Sequence, residues 1–405
     1  MIFSGDEITQ NKVGCFAVLV LNRRFIYLVL LVTSLLAIAP TSSFAASPAE
    51  RSIENNLVNQ PIILASSSAL SGPAAKLGIR LNQGAEVYFD KINKSGGIAG
   101  QKIILKTLDD GYEPFKAIKN TQLFLNDNTV FALFNYVGTP TVAVILPLIE
   151  DNHLPFLMPF TGAEFLRKPI INNIFNLRAS YYQEVDAQLD YLVKEQGFTK
   201  IGLLIQADKF GTAVEKGYLS LMLQHGIEPV VTTRYRRNTK DVSLALSVLK
   251  EKDVEAIAFV GTYEPFAELI NTAAEQKFTP FFTTVSFISS HDLFPKIKQQ
   301  SRVLVSEVMP EPQTCILKIC VEFLNDMKQA GRLYTDQVQF EGYLNAYLFT
   351  EVAKLCTEKL SQTCFLNKIR NFRFDFGGIA VNFSSENNQG LNNIYLNFFD
   401  IKNSP

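Results

Sequence analysis

From Ile62 to Val308 short apolar runs alternate with segments of helical period, and this alternation most constrains what the chain can fold into. The runs are Ile62 to Ala65, Ile103 to Leu108, Val130 to Val137, Pro155 to Met158, Ile201 to Ala207, Val230 to Tyr235, Ala256 to Tyr263, Phe281 to Phe287 and Val303 to Val308. Strand and helix in turn predict parallel sheets covered on both faces. Between the first two runs Leu77, Leu81, Ala85, Tyr88 and Ile92 lie on one stripe of a helix. Next, "INKSGGIAGQK" puts three glycines into five positions. A helix ending near Ser95 needs positive φ just past its end, which Gly96 supplies, and Gly97 and Gly100 let the chain reverse into Ile103.

The unit repeats. Ile201 begins a strand as Ile62 did, Gly226 closes a helix as Gly96 did, and Ala256 opens a third strand as Phe131 did. Two βαβαβ units follow, an α/β fold of two Rossmann-like lobes with parallel sheets. No Pro-, Gly- or Ser-rich linker divides them, and Gln337 to Leu360 reads as a long helix that neither lobe accounts for. The chain is therefore expected to return to the first lobe, giving a multi-segment hinge. Lobe 1 is 61–179 plus 309–370, and lobe 2 is 180–308 plus 371–405.

Arg23 and Arg24 precede an apolar run from Phe25 to Ala39, followed by Pro40 and "SFAA". That order is a secretory signal over residues 1–45 with cleavage after Ala45, and a periplasmic mature chain. The run falls short of the roughly 20 residues a membrane anchor needs. Four cysteines would remain, Cys315, Cys320, Cys356 and Cys364, an even number in an oxidising compartment, for which three disulfide pairings are possible. Cys356 and Cys364 flank a turn short enough to bridge. Neither cysteine pair has the ligand spacing of a zinc ribbon, so no metal is expected. A formal charge of −1 over 405 residues gives no surface for nucleic acid.

In open parallel sheets ligands bind outside the carboxyl ends of the strands. "SSSALSGPAAKLG" after the first strand has no glycine fingerprint for a dinucleotide or triphosphate, so no cofactor is expected. In "NYVGTPT" Thr139 reads as an N-cap before Pro140, leaving N–H groups and a hydroxyl suited to a carboxylate. In "PFTGAEFLR" Thr161 and Glu164 read as a capping box with the Gly162 N–H approachable. From the second lobe, Phe210 in "QADKFG" and Tyr263 in "GTYE" are placed to close over a ligand, and "TTVSF" holds Ser286. Tyr181, Tyr182 and Glu184 lie where the chain passes between lobes. Plain helix capping and rim packing are the alternatives at these positions. His153, His225 and His291 are scattered, Asp109 and Asp110 read as loop-side residues, and no nucleophile motif occurs, so no enzyme is expected.

The ordered series "ALSGPAAKLG", "INKSGGIAGQKI", "LDDGYEPFKA", "NYVGTPT", "LPFLMPFTGAEFLR", "LRASY", "IQADKFG" and "FVGTY" resembles the type I periplasmic solute-binding proteins of branched-chain amino-acid ABC importers, over about Pro61 to Phe399. The resemblance implies a three-segment hinge, a monomer closing on an amino-acid-like or small carboxylate ligand, and delivery to an inner-membrane ABC permease. It implies that Thr139, Thr161 and Gly162 hold the ligand carboxylate, that Phe210 and Tyr263 cover it, and that Leu77 lies near its side chain. At the Leu77 position relatives often carry an aromatic ring. Where relatives set an acid against the ligand ammonium, this chain reads Ser286, so Glu184 or Glu264 substitutes or the ligand lacks an amine. An exported sensor domain of the same fold signalling to a regulator is the alternative function. Intact-mass analysis of the exported protein is expected to show a mature chain beginning at Ala46.

Overall fold

The computed structural model describes residues 60–399 other than 358, so the signal segment 1–45 lies outside the described residues. The first lobe begins β1 (Ile62–Ser68), α1 (Ala75–Lys94), β2 (Ile103–Asp109), α2 (Pro114–Leu125), β3 (Val130–Phe134), α3 (Thr139–Asn152), β4 (Phe156–Leu157) and β5 (Ile174–Phe175). The chain then enters α4 (Tyr181–Leu189), β6 (Ile201–Gln206), α5 (Lys209–Gln224), β7 (Val231–Tyr235), α6 (Ser243–Glu251), β8 (Ala256–Val260), α7 (Tyr263–Glu275), β9 (Phe281–Thr284), α8 (Ser290–Leu293) and β10 (Arg302–Glu307). It ends with α9 (Lys318–Gln329), α10 (Gln337–Lys354), α11 (Gln362–Ile369), β11 (Arg373–Asp375), β12 (Ala380–Asn382) and β13 (Tyr395–Phe398).

One sheet has the order β2-β1-β3-β4-β5 and is parallel throughout. The other has the order β13-β10-β9-β8-β6-β7, with only β13 antiparallel. All nine expected strands form, several ending earlier than the apolar runs do. The Val130 run stops at Phe134 because Asn135 takes φ +55°, and the Ala256 run stops at Val260 because α7 starts at Tyr263. The glycine cluster behaves as its composition requires: α1 ends at Lys94, and Gly96, Gly97 and Gly100 all have positive φ. A Cβ on Gly97 would lie 2.1 Å from the Gln101 carbonyl oxygen.

The lobe division needs one correction at its C-terminal end. Phe372, Phe376, Ile379, Val381, Phe383 and Leu391 belong to the apolar cluster beneath the first sheet, and β13 alone joins the second. The final crossing thus falls near Leu391 rather than at residue 371. It runs beside the first crossing, with Gly390 N donating to Asn176 O at 2.8 Å and Leu391 N to Leu177 O at 2.8 Å. With the passage from β10 to α9, the chain crosses three times.

The long C-terminal helix does return to the first lobe, but α10 ends at Lys354 instead of Leu360. It packs on α1 at backbone contact, since a Cβ on Gly84 would meet the Gln339 carbonyl at 1.8 Å and one on Gly342 the Leu81 carbonyl at 1.9 Å. Both cysteine pairs are disulfides, Cys315–Cys320 and Cys356–Cys364. Closing the latter loop stabilises by roughly 2 to 3 kcal/mol in the chain-entropy model. Because α1 and α10 have no room for a methyl between them, Gly342→Ala is expected to cost about 1 to 3 kcal/mol. A lowered midpoint in chemical denaturation, with the slope unchanged, is the measurement that checks it.

Candidate functional site

The strand ends and helix starts of both sheets face one cleft. On the first-lobe side, α3 begins at Thr139, preceded by Gly138 at φ +101°, so Gly138 and not Thr139 is the N-cap. The Thr139 Oγ1 is freed from capping and lies 2.7 Å from the Thr161 Oγ1, both residues fully buried. The expected capping box at Thr161 and Glu164 does not form: Thr161 Oγ1 accepts from Ala163 N at 3.2 Å, and only a single tight turn follows at Glu164–Leu166. Gly162 is required by close approach, since Tyr181 N donates to its carbonyl at 2.8 Å and a Cβ there would lie 2.6 Å from that nitrogen. Arg167 fixes this loop by donating to the carbonyls of Ala163 and Arg178, both at 2.9 Å.

From the other lobe Phe210 is fully buried, 4.8 Å from Phe287 and 5.4 Å from Tyr181 between ring centroids. Asp208 caps α5 by accepting from Phe210 N and Gly211 N, each at 3.0 Å. Tyr263 stands at the rim with the Lys76 ammonium 4.7 Å over its ring. Leu77, Tyr263 and Phe287 line a void of about 10 Å³ between the lobes. Tyr112 and Phe160 add to this cluster, at 5.5 and 6.1 Å from Phe287.

The adjacent tyrosines Tyr181 and Tyr182 have different surroundings. Tyr182 packs on Gly217 and lines a separate outer groove with Ala143, Phe165 and Lys209, while its neighbour Tyr181 is buried in the cleft cluster. Glu184 and Ser286 do meet, but as partners of each other. The Glu184 carboxylate accepts from Ser286 N at 2.7 Å, Ser286 Oγ at 2.9 Å and Ser306 Oγ at 2.8 Å. Glu264 is paired with Lys240 at 2.9 Å.

The group that organises this region, Arg178, lay inside the quoted "LRASY" without being singled out. Its Nη2 donates to Ser286 Oγ at 2.8 Å, its Nε faces Glu341 Oε1 at 3.2 Å, and its guanidinium lies 4.0 Å over the Phe160 ring. Its Nη1 is buried without a hydrogen-bond partner, as are the hydroxyls of Tyr112, Tyr181, Ser68 and Ser289. Two ion-pair sets cross the cleft mouth: Arg237 reaches Glu113 at 3.2 Å and the Tyr112 carbonyl, and Asp292 accepts Lys76 at 3.1 Å together with Arg80. Asp109 and Asp110 serve their loop, accepting from Leu70 N and Gly111 N, and from Ser67 Oγ and Tyr112 N.

Helix and strand ends of two parallel sheets, facing one cleft beside a triple crossing, define the class: a two-lobed binding protein. The family model described as periplasmic binding protein matches residues 61–400, and the chain belongs to that family. It is 26% identical over 195 residues to Leu/Ile/Val-binding protein homolog 3 of Brucella melitensis, a match covering 47% of this chain and 52% of that relative. The chain thus spans about half the length of the curated relatives it matches. A solved structure of a possible leucine/isoleucine/valine-binding protein from Rhodopirellula baltica superimposes with a TM-score of 0.78 at 29% identity, over 84% of this chain and 94% of that one. A branched-chain amino acid ABC transporter protein from Thermus thermophilus with bound valine gives 0.76 at 17% identity, over 84% and 93%, a likeness of fold alone.

Burial pushes the Glu307 carboxyl up to about 8 despite the bonds it accepts from Ser290 N and Oγ at 3.0 and 2.9 Å. The folded chain therefore holds a proton there that the unfolded chain, with an ordinary glutamate, releases. Between the ordinary carboxylate range and pH 8 this makes stability fall as pH rises, by at most about 1.4 kcal/mol per pH unit for the one group. Glu307→Gln keeps an oxygen for Ser290 and removes the ionisation. Its thermal midpoint is expected to exceed that of the unmodified protein at pH 8 and to match it near pH 5.

Proposed function

We propose that this protein is the exported solute-binding component of an ABC importer, capturing a small carboxylate-bearing ligand between closing lobes in the periplasm. The observation that carries the reading is the buried Thr139 and Thr161 hydroxyl pair, 2.7 Å apart at the N-terminus of α3. A helix N-terminus with hydroxyl donors favours an anion. Opposite stand Phe210, Tyr263 and Phe287, which give the second lobe an apolar cover. Its relatives named as Leu/Ile/Val-binding proteins support transport of amino-acid-like solutes. Lobe 1 is 61–177 plus 309–391, and lobe 2 is 180–307 plus 395–399.

Because Tyr112 and Phe160 of the first lobe pack against Phe287 of the second in the form described, a ligand among these rings enters as the lobes part, and binding selects between open and closed forms. A thermal-shift screen over amino acids, aromatic acids and small carboxylates, followed by calorimetry, tests the function. At least one carboxylate is expected to raise the midpoint and to contract the particle in small-angle scattering. A hydrogen bond to a charged group contributes about 1.5 to 3 kcal/mol, so Thr139→Val is expected to weaken that ligand roughly ten- to a hundred-fold without unfolding the lobe. Tight binding of an amine or amide with no acidic group would overturn the assignment.

A further inference from the structure

An amino acid brings an ammonium into a closed cleft, and the cleft must then supply an anion for it, since an unpaired buried charge is strongly disfavoured. Among the described residues, the carboxylates that border the cleft already have partners. Glu184 is held by Ser286 and Ser306 through three bonds. Glu341 faces Arg178, Asp292 takes Lys76 and Arg80, and Glu307 takes Ser290. Asp208 accepts from Phe210 N, Gly211 N and Gln206 Nε2 and faces Arg237 at 3.1 Å, while Asp110 accepts from Ser67 and Tyr112 N. Glu113 takes Arg237 and Asn238.

What remains unmet is of the other polarity. The Arg178 guanidinium is about 1% exposed, and its Nη1 has no hydrogen-bond partner. Arginine has donors only and keeps its charge. The Ser286 hydroxyl donates to Glu184 and accepts from the Arg178 guanidinium. A cation placed beside Ser286 would therefore meet the guanidinium. The unpartnered Tyr112, Tyr181 and Ser68 hydroxyls can each donate to an oxygen without needing a charge.

We propose that the solute bound in this cleft is a carboxylic acid without an α-ammonium, its acceptor atoms met by Arg178 and the tyrosine hydroxyls. The inference rests on the carboxylate reading above and narrows its ligand class. Arg178 thereby sets specificity: it offers a hydrogen bond to an acceptor and repels an amine, the two ways in which one residue separates otherwise matched ligands.

The test uses matched pairs on the mature protein by calorimetry: glycine with acetate, L-leucine with 4-methylpentanoate, L-phenylalanine with 3-phenylpropanoate, and L-glutamate with glutarate. For the pairs that bind, the acid lacking the amine is expected to bind at least ten-fold more tightly. Arg178→Met, which keeps an apolar stem over Phe160, is expected to shrink that ratio; should it fail to fold, the ratios of the unmodified protein decide alone. An amino acid binding as tightly as its partner, or more tightly, overturns the proposal while leaving the carboxylate reading in place. Failure of every member of every pair overturns the carboxylate reading, and the proposal falls with it.

Discussion

The buried Arg178 is the interaction on which the relation between the two lobes depends. It stands in the first crossing between the sheets, and its polar partners come from both sides: Glu341 from α10 of the first lobe, Ser286 and through it Glu184 from the second. Taking a guanidinium out of water is costly, and only well-placed partners offset the cost. Losing Glu341 would leave the guanidinium without its directly facing carboxylate in the interior. The crossing is consequently pinned at its centre, and Arg167 extends the pinning by binding the carbonyls of Ala163 and Arg178 and the side chain of Gln389 on the third crossing. Hinge segments and ligand-facing loops are thus one hydrogen-bonded body.

Farther from the hinge the lobes are joined by groups of a different kind. Arg237 is 16% exposed and Glu113 41%, so water and salt reach this pair and weaken it. On the other flank Asp292 is drawn to Lys76 and Arg80 of α1. Parting the lobes strips Asp292 of both cations and returns it to water, so its desolvation cost is recovered as its pairing is lost. Arg80 keeps Asp336, which lies on its own side of the cleft. The closed form is therefore held by ion pairs of small net worth together with the aromatic cluster. A ligand shifts the equilibrium only by what it contributes in the closed form and not in the open one.

Most of the fold was legible because its signals are local. Strand runs, the α1 stripe and the glycines after Lys94 each follow from period or positive φ within a dozen residues. β13 escaped notice because "YLNF" is a four-residue antiparallel edge with no alternation to mark it, and β5 because it has only two residues. The place of residues 371–391 was not legible, because it depends on the packing of Phe376 and Phe383 with the first-sheet cluster, which no linker signal announces. Thr139, Thr161 and Phe210 were expected at strand ends, and the structure places all three there, buried. Tyr181 and Tyr182 differ by one position at a helix start, a turn of about 100°, and only the finished packing decides which faces the cleft. The partners of Arg178 are equally remote, Ser286 lying 108 residues away.

The carboxylate at position 184 is already engaged within the cluster around Arg178. Glu184, Glu307 and Glu341 are all buried, and burial raises the carboxyl of each, Glu341 to about 7 and Glu307 to about 8. Against them stand two guanidiniums, Arg178 and Arg167, the latter lowered by burial to about 10 and so still charged at neutral pH. Burial first, and the neighbouring Glu184 after it, disfavour the anion of Glu307. Glu184 holds Ser286 and Ser306 by three hydrogen bonds, and through Ser286 it is tied to the guanidinium of Arg178, so its engagement in the hinge and its position beside the cleft are one arrangement.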